Sequence, residues 1–368
     1  MLILEVLDEV PDPRGYNSQH DLTDVLFVAL AAVLCGATSC TDMALFAEGR
    51  LDLMRQFVPL GHGAPSHDTF SRVLGAVDPV AFQASFQRFA AAFGQQARYE
   101  RQASGQVAVD GKGLRRAYEK GRACLPPLVA TVFDCELLMS LSQSVAETGS
   151  ERAAAIAALK LLSLDGAVVS ADALHANRPM TQAIRQGGGH YVLALKPNNA
   201  TLYKAAEAAL DKAAANPRTP IFETEDSVHG RHEVRRALVT PFIQPPCKQP
   251  FVDLVAVARI ESWRTKDEVT THKVRLYALS QRISAAEVLR RVRRHWAIEN
   301  ELHWQLDVLF AEDLSRTRKK NGPANLAVLR RLALNVLRAE PANIPLRHKG
   351  LKARWNDQAL LSLMTHMR

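Results

Sequence analysis

The sequence predicts a mixed α/β fold, in which a sheet-containing region with a β-rich insertion follows an all-helical N-terminal region. Residues 1–95 place apolar side chains at helical spacing between capping residues and Gly or Pro breaks. From residue 106 onward, short apolar segments of strand character alternate with alanine-rich helical segments. Helical periodicity returns from Ser284 through Phe310 and again from Pro323 to Arg338. The change of period near residue 100 therefore separates two kinds of structure.

Capping residues and an aromatic stripe predict the helices of residues 1–95. Asp21 precedes an apolar helix that Gly36 ends, a second helix is predicted over 40–57, and Ser66 is the expected N-cap of a third. The aromatic residues of the following segment recur at spacings of four, three and four, on one helix face. We assign this face to the hydrophobic core: Phe82, Phe86, Phe89 and Phe93.

The short helices around residue 66 permit two interpretations. In a helix-turn-helix, Ser66, Thr69 and Arg72 would face a DNA groove. The alternative is a helical packing domain that makes no DNA contact.

The predicted elements of residues 100–200 follow the order strand, strand, strand, helix, strand, helix, strand. The strands are expected at 106–110, 128–133, 137–144, 167–171 and 190–195, and the helices at 150–162 and 178–186. This order is typical of an RNase H-like fold, a mixed sheet flanked by helices. We therefore divide the chain into a helical N-terminal domain (1–95), a first part of an RNase H-like core (100–200), a β-rich insertion (201–278), a second part of the core (279–340) and a basic C-terminal tail (341–368).

Composition restricts the class of protein. The chain has 368 residues, of which 47% are hydrophobic and 23% charged, as in globular proteins. Because its apolar runs are shorter than the roughly 18 residues of a membrane span, we expect a soluble cytoplasmic protein without a membrane partner. The five cysteines match no zinc-binding spacing, and we expect them to be reduced thiols.

Charge is distributed unevenly along the chain. Residues 1–95 sum to −6, residues 96–281 to +5 and residues 282–368 to +9. A basic C-terminal third suits a polyanion such as DNA, because each phosphate contact releases counterions. The alternative interpretation is a solvated helical surface.

Three isolated carboxylates stand at the end of a predicted buried strand or within a predicted helix. Asp110 and Asp172 end short apolar strands, and Glu299 lies within a strong helical pattern. Carboxylate oxygens are the ligands that Mg²⁺ prefers. Two such ions about 4 Å apart can activate a nucleophile and stabilise a leaving oxygen in phosphoryl transfer. These residues are therefore the candidate metal ligands.

A polar stripe accompanies Glu299. On a continuous helix, His295, Glu299, His303 and Asp307 would share one face, at intervals of four residues. Three interpretations follow from the spacing: a site at a domain boundary, an exposed face with local ion pairs, or a zinc site built from the two histidines and a carboxylate.

Several short motifs together resemble a known family. They are Glu9–Arg14, Leu34–Ala37 and Pro65–Phe70 near the N-terminus, Val109–Lys112, Ser170–Ala173 and Tyr191–Lys196 in the sheet region, His229–Arg235 in the insertion, and His295–Asn300 with His303–Trp304, Leu306–Val308 and Glu312–Asp313 beyond it. In order and spacing they resemble bacterial insertion-sequence DDE transposases of the H-repeat-associated type, over nearly the whole chain.

The resemblance implies a function for the three carboxylates. Asp110, Asp172 and Glu299 would form a DDE triad that holds two Mg²⁺ ions, with Mn²⁺ as a substitute. The implied reaction is cleavage of a DNA strand, followed by transfer of the freed 3′-OH to target DNA. The implied partner is double-stranded DNA, bound by a homodimer at the bacterial nucleoid. This chain departs from the family at His295 and Leu306, where an Arg and a Lys are frequent.

Basic residues near the expected site are candidate DNA contacts, and solvated surface charge is the alternative for each. The DNA-contact candidates are Lys112, Lys196, Arg231, Arg235, Arg294, His295, Arg316, Arg318, Lys319 and Lys320. His303 and Asp307 are expected to support the triad.

Two further functions remain compatible with the same residues. One is an RNase H-like DNA nuclease that promotes recombination without transposition. The other is a catalytically idle descendant that only binds DNA; the loss of a triad carboxylate would mark it, and all three are present.

Overall fold

A computed structural model describes residues 2–101, 105–117, 126–146, 150–228, 230–246 and 248–365, without the side chains at 2, 93–101, 198 and 228. Its helices are α1 (Leu2–Asp8), α2 (Leu22–Leu34), α3 (Cys40–Gly49), α4 (Leu51–Met54), α5 (His67–Ala76), α6 (Pro79–Arg101), α7 (Glu151–Lys160), α8 (Arg178–Gln186), α9 (Ala200–Ala214), α10 (Ala285–His295), α11 (Trp304–Phe310), α12 (Gly322–Ala339), α13 (Leu346–Trp355) and α14 (Asp357–Thr365). Its strands are β1 (Gln106–Gly113), β2 (Leu128–Asp134), β3 (Met139–Val145), β4 (Val168–Ala171), β5 (His190–Leu195), β6 (Ile221–Val228), β7 (Arg231–Pro241), β8 (Ala256–Lys266) and β9 (Val269–Leu279). A π-helical turn spans Ile298–His303, and 3-10 turns span Pro197–Asn199 and Glu312–Leu314.

The strands form one mixed nine-stranded sheet in the order β3-β2-β1-β4-β5-β9-β8-β7-β6. The first five positions carry the RNase H-like arrangement, with β2 and β3 antiparallel and β1, β4 and β5 parallel. The predicted mixed α/β class is thereby confirmed. The strands of the insertion extend the same sheet, because β9 pairs antiparallel with β5.

The chain divides into two compact units that take residues from separate stretches. Unit 1 comprises Met1–Ala103, Gly111–Leu161 and Ile298–Arg368, and unit 2 comprises Ser104–Asp110 and Leu162–Ala297. Unit 1 thus joins the N-terminal helices to the last helices of the chain. The residues of the predicted basic tail belong to it as α13 and α14, with Ala353 and Leu360 fully buried.

Unit 1 is organised around α12, which is buried along almost its whole length. This helix contacts α2, α5, α6 and β3 of the same unit. Asn335 of α12 accepts a hydrogen bond from Ser140 N and donates one to Ser140 O, at 2.9 and 2.8 Å. The aromatic stripe of α6 belongs to the core as predicted, since Phe82, Phe86 and Phe89 are at most 1% exposed; the side chain of Phe93 lies outside the described residues.

Unit 2 packs α10 against the sheet. Its core is a continuous apolar layer of strand and helix residues that includes Ala256, Ile260, Tyr277, Val288 and Leu289. The helix begins at its predicted position, where the Ser284 hydroxyl accepts a hydrogen bond from Glu287 N at 3.2 Å. This packing fixes the C-terminal end of α10 relative to the strands of unit 2.

Two predicted helices are wrong in their continuity. The segment 40–57 breaks at Arg50, whose backbone leaves the helical region, and forms α3 and α4. The segment from 284 to 310 is interrupted by the π-helical turn, because α10 ends at His295. The four-residue stripe from His295 to Asp307 therefore does not lie on one continuous α-helix.

The described cysteines are buried or partly buried. Cys35, Cys40 and Cys135 form no disulfide among the described residues, and burial raises the pKa of Cys35 to about 11, which makes it a poor nucleophile. Cys124 and Cys247 lie outside the described residues. Among the helices described, none combines the length and the apolar character needed to cross a membrane.

Candidate active site

Two of the predicted metal ligands lie side by side in unit 2. In the parallel pair of β1 and β4, Val109 is the partner of Ala171. Asp110 and Asp172 follow these two partners, and neighbouring strands are about 4.8 Å apart. Asp172 comes directly after β4, whereas β1 continues to Gly113, so the prediction that Asp110 ends its strand is wrong. The side chain of Asp172 is 65% exposed, and Asp110 is partly buried. Both carboxylates thus stand at the same edge of the sheet.

A polar network in unit 2 supports the strand that ends at Asp172. Ser170 Oγ lies 3.1 Å from His295 Nδ1 and accepts a hydrogen bond from Gln106 Nε2 at 3.2 Å. Gln106 Nε2 also donates to the carbonyl oxygen of Arg291 in α10, at 2.8 Å. His295 Nε2 stands 4.0 Å from Asp172 Oδ1. The end of α10 is therefore fixed to β4 next to the exposed carboxylate.

Glu299 lies in unit 1, within the π-helical turn. Its Oε2 is 3.3 Å from Nδ1 of His303, whose side chain is 9% exposed, whereas the Glu299 side chain is 49% exposed. Ile298 and Leu302 are fully buried and anchor the turn. Turns of this kind occur frequently at functional sites, because the extra residue redirects the side chains that follow it. The structure thus brings the imidazole of His303 next to the Glu299 carboxylate.

Arg338 of α12 fixes this turn from behind. It donates to the backbone carbonyl oxygen of Glu301 and to that of Leu138, and its Nη2 lies 3.4 Å from Glu301 Oε2. Burial lowers the pKa of Arg338 to about 10, against the opposing effect of Glu301, so that the guanidinium stays charged at neutral pH. The backbone around Glu299 is therefore held by a charged group on a buried helix.

Lys112 has its charge compensated within unit 1. Its Nζ donates to Asp307 Oδ2 at 2.8 Å and lies 3.1 Å from Asp313 Oδ1, and its side chain is only 10% exposed. A phosphate contact, as the sequence suggests for this lysine, would require it to leave two carboxylates. In this structure, Lys112 connects β1 to the segment that follows Glu299.

A fourth carboxylate, which sequence reasoning missed, lies beside the residue after Asp110. Gly111 has no side chain, and a Cβ built there would come within 2.6 Å of the carboxyl carbon of Glu151, the first residue of α7. The Gly111 position thus leaves room for this carboxylate. The Asp-Gly pair was visible in the sequence, but nothing local pointed to Glu151.

The other predicted DNA contacts differ in their exposure and in their ion pairs. Arg316, Arg318, Lys319, Lys320, Lys196 and Arg231 are exposed. Arg235 is not a free cation, because its guanidinium pairs with Asp226 at 2.6 Å and also with Glu233. Arg294 is half-buried in the last turn of α10. His229, which begins the predicted insertion motif, lies outside the described residues.

Comparison with protein families covers most of the chain. Residues 98–336 match the family described as Transposase DDE domain, and residues 4–90 match the family described as DDE_Tnp_1-associated. The chain belongs to the DDE transposase family. The expected resemblance is thereby confirmed, including its H-repeat-associated type.

Relatives of this transposase-family chain span nearly its full length. YhhI of Escherichia coli (strain K12), named provisionally as an H repeat-associated transposase, is 28% identical over 375 residues, which cover 98% of this chain and 97% of YhhI. An uncharacterized protein in the dhlA 3′ region of Xanthobacter autotrophicus is 35% identical over 259 residues, which cover 69% of this chain and 86% of that protein. A piggyBac transposase synaptic complex with hairpin DNA aligns with a TM-score of 0.41 and 12% identity over 100% of this chain and 80% of that chain, below the similarity that identifies a shared fold.

Proposed function

We propose that this chain is an active DNA transposase, which cleaves a DNA strand and transfers the freed 3′-OH to target DNA with Asp110, Asp172 and Glu299 as its catalytic triad. The observation that carries the proposal is the register of β1 and β4, which sets Asp110 and Asp172 side by side at one sheet edge. Glu299 would complete the set from the π-helical turn that Ile298 and Leu302 anchor. Family membership gives independent support.

The donor set fits a hard divalent cation. Asp110, Asp172 and Glu299 offer carboxylate oxygens, the ligands that Mg²⁺ and Mn²⁺ prefer, and no thiolate. When bound, two such ions would activate the attacking oxygen and stabilise the charge on the leaving oxygen. The protein supplies position and charge, which is most of what phosphoryl transfer requires of it.

The proposed reaction has two balanced steps. In cleavage, a water oxygen forms a bond to phosphorus and the bond from phosphorus to the 3′ oxygen breaks. One water proton passes to solvent, and the leaving 3′ oxygen takes up a proton to become the free 3′-OH. In joining, the freed 3′ oxygen forms a bond to a target phosphorus, and the 3′ oxygen of the target strand leaves with a proton. His303 and Asp307 would act as positioning residues, the first through Glu299 and the second through Lys112.

DNA contacts are proposed for the exposed cations of the predicted set. These are Lys196, Arg231, Arg316, Arg318, Lys319 and Lys320, whose side chains stand in solvent. For Lys112, Arg235 and His295, the carboxylates that they face favour a role in positioning. Arg294 is proposed as a contact at the end of α10. The proposed partner is duplex DNA bound by two copies of the chain. When the protein is mixed with two end duplexes of different lengths, a complex that contains both duplexes would support this.

Removal of the metal tests the proposed function. We expect the protein to nick labelled duplex DNA carrying the element ends, and to produce longer joined strands, in Mg²⁺ or Mn²⁺. Chelation with EDTA should abolish both products, and added Mg²⁺ should restore them, because the carboxylates cannot neutralise the transition-state charge alone.

The products separate the alternatives. Nicks without joined strands would replace the proposal with a nuclease that promotes recombination. DNA binding without either product would identify an idle descendant; the relative YbfQ, which is named an inactive transposase, is 34% identical over 73 residues covering 20% of this chain.

Gly111→Ala tests the carboxylate of Glu151, which lies next to Gly111. The new Cβ would displace the Glu151 side chain, whose carboxyl carbon lies 2.6 Å from that position. The stability cost should stay below about 1 kcal/mol, since the end of a flexible side chain can move. We expect the Mg²⁺ concentration for half-maximal cleavage to rise roughly five-fold, by loss of one nearby negative charge.

The matched variant is Glu151→Gln, which should raise the Mg²⁺ concentration for half-maximal cleavage by the same factor. The double variant, Gly111→Ala with Glu151→Gln, should raise this concentration no further. Additive shifts from the two substitutions would show that Gly111 and Glu151 act independently.

A further inference from the structure

A basic groove lies in unit 1, and none of the three carboxylates of the proposed triad is among its lining residues. We use this name for the cavity of about 1020 Å³ that is lined by the 14–20 loop, the exposed face of α5 and the 318–320 loop. Its charged walls are formed by Arg72, Arg318, Lys319 and Lys320, with Asp68 as the acid opposite them and Val73 and Ala76 among its apolar lining. The groove is therefore a concave surface with a strong excess of positive charge.

The four cations of the basic groove are exposed and have no carboxylate partner among the residues that the structure describes. Arg72 Nε donates to the carbonyl oxygen of Asp68 at 3.4 Å, and Arg318 Nε donates to that of Arg116 at 3.0 Å. Each bond orients a guanidinium through one nitrogen and leaves its terminal nitrogens for a ligand. Arginine in this state is suited to phosphate, because its remaining donors form a planar fork.

Hydrogen bonds within unit 1 hold the lysines against α5. Asn325 Nδ2 donates to the carbonyl oxygens of Leu74 and Val77, at 2.8 and 2.9 Å, and Asn321 Nδ2 donates to that of Val77 at 3.0 Å. These bonds satisfy carbonyl groups that the end of a helix leaves without a partner. The loop that carries Lys319 and Lys320 is thereby fixed to the helix that carries Arg72.

The backbone at Lys320 is strained in support of this position. Its φ is 44°, in the left-handed region that costs a residue with a Cβ free energy. Such strain persists only where surrounding contacts impose it, and it concentrates at functional sites. Here the neighbouring Asn321 provides the contact. The strained backbone keeps the Lys320 side chain in solvent, at the wall of the groove.

The wall of the basic groove formed by the 14–20 loop is held in place by Arg14. Arg14 forms a bidentate ion pair with Asp12, through bonds of 2.8 and 2.7 Å, and donates to the carbonyl oxygen of His20 at 2.9 Å. Its charge is therefore compensated, and its function is to hold the 14–20 loop. This contact accounts for the Pro-Asp-Pro-Arg motif that the sequence singles out.

We propose that the basic groove binds the sugar–phosphate backbone of duplex DNA and anchors it through residues other than the proposed triad. Arg72, Arg318, Lys319 and Lys320 would contact phosphates, and Thr69 would line the bound strand. Charge complementarity and the exposed face of α5 argue for this occupant. Ser66 is the N-cap of α5, since its hydroxyl accepts from Thr69 N at 3.3 Å, so it serves the helix and not the DNA. The proposal rests on the proposed function only in its choice of DNA as the ligand.

Loss of the four charges provides the test. The variant Arg72→Gln, Arg318→Gln, Lys319→Gln, Lys320→Gln is compared with wild type by fluorescence anisotropy of a labelled 30-base-pair duplex, at several salt concentrations and in EDTA. We expect affinity to fall roughly 30-fold or more, and the slope of log K against log salt to decrease by about 3 to 4, since each phosphate contact contributes about 0.9. Asp68→Asn should instead tighten binding, by roughly two-fold.

A matched variant controls for net charge. It removes the exposed cations Lys160, Lys204, Lys212 and Arg218, which lie outside the basic groove. Its affinity should stay within about three-fold of wild type. An equal loss from both quadruple variants would overturn the proposal, as would a groove variant with unchanged affinity and an unchanged melting curve. Tighter groove-dependent binding of a duplex RNA than of DNA would also overturn it.

The measurement separates this proposal from the catalytic one. Because EDTA prevents metal-dependent cleavage, the groove result depends on binding alone. A wild-type protein that fails to cleave in Mg²⁺ would reject the proposed function and leave the groove result standing.

Discussion

We expect Asp172→Asn to reduce the rate of metal-dependent DNA cleavage by about 1,000-fold or more, which corresponds to about 4 kcal/mol of transition-state stabilisation. The substitution keeps the shape of the side chain and removes one anionic ligand from the pair formed with Asp110 of β1. Because the Asp172 side chain is 65% exposed, the folded structure should tolerate the change. Asp172→Ala should behave in the same way.

Binding and folding measurements make this expectation specific. Wild type should melt at a higher temperature when Mg²⁺ is added, since a ligand that binds only the folded state stabilises it, and Asp172→Asn should lose this increase. Asp267→Asn is the matched control: Asp267 is 85% exposed at a hairpin turn, with a left-handed φ that asparagine tolerates. Cleavage by Asp172→Asn at the wild-type rate would reject the triad.

The second large effect concerns stability. Glu312 and Arg331 are both 0% exposed, and their Oε1 and Nη1 atoms are 3.0 Å apart. Arg330 is 2% exposed, and burial lowers its pKa, against the opposing attraction of Glu312. Glu312→Gln would therefore leave two buried guanidinium groups without their carboxylate. We expect it to reduce the free energy of unfolding by about 3–5 kcal/mol.

Thermal unfolding followed by circular dichroism checks this expectation. At roughly 2–4 °C per kcal/mol, the melting temperature should fall by about 8–15 °C. Adding Arg331→Met to Glu312→Gln should recover part of the loss, since one of the two uncompensated charges is then gone. Asp52→Asn, which breaks a fully exposed pair with Arg55, should change the melting temperature far less. A loss no larger than that of Asp52→Asn would show that the network does not stabilise unit 1.

The sequence identified strands but not how they pair. Short apolar runs between turn residues identify β1 and β4, whereas the parallel pairing that brings Asp110 beside Asp172 is visible only in the structure. The helix starts at Asp21 and Ser66 could be predicted from the sequence, because a capping hydroxyl or carboxylate bonds within its own turn.

Contacts between distant parts of the chain were not predictable in this way. The π-helical turn around Glu299 depends on Arg338, which reaches the Glu301 carbonyl oxygen from another helix. Lys112 resembled a phosphate contact because its partner Asp307 is 195 residues away in the chain. Periodicity describes one segment at a time and cannot show such pairs.

The burial of α12 has a consequence for the order of folding during synthesis. The core formed by α2, α5 and α6 lacks its central partner until residues 322–339 leave the ribosome. The lysines of the 318–320 loop are made just before that helix. A nascent chain that has exposed only its first hundred residues therefore has neither a completed N-terminal core nor a complete basic groove. A prematurely terminated chain ending before α12 should aggregate or be degraded instead of persisting as a DNA-binding fragment.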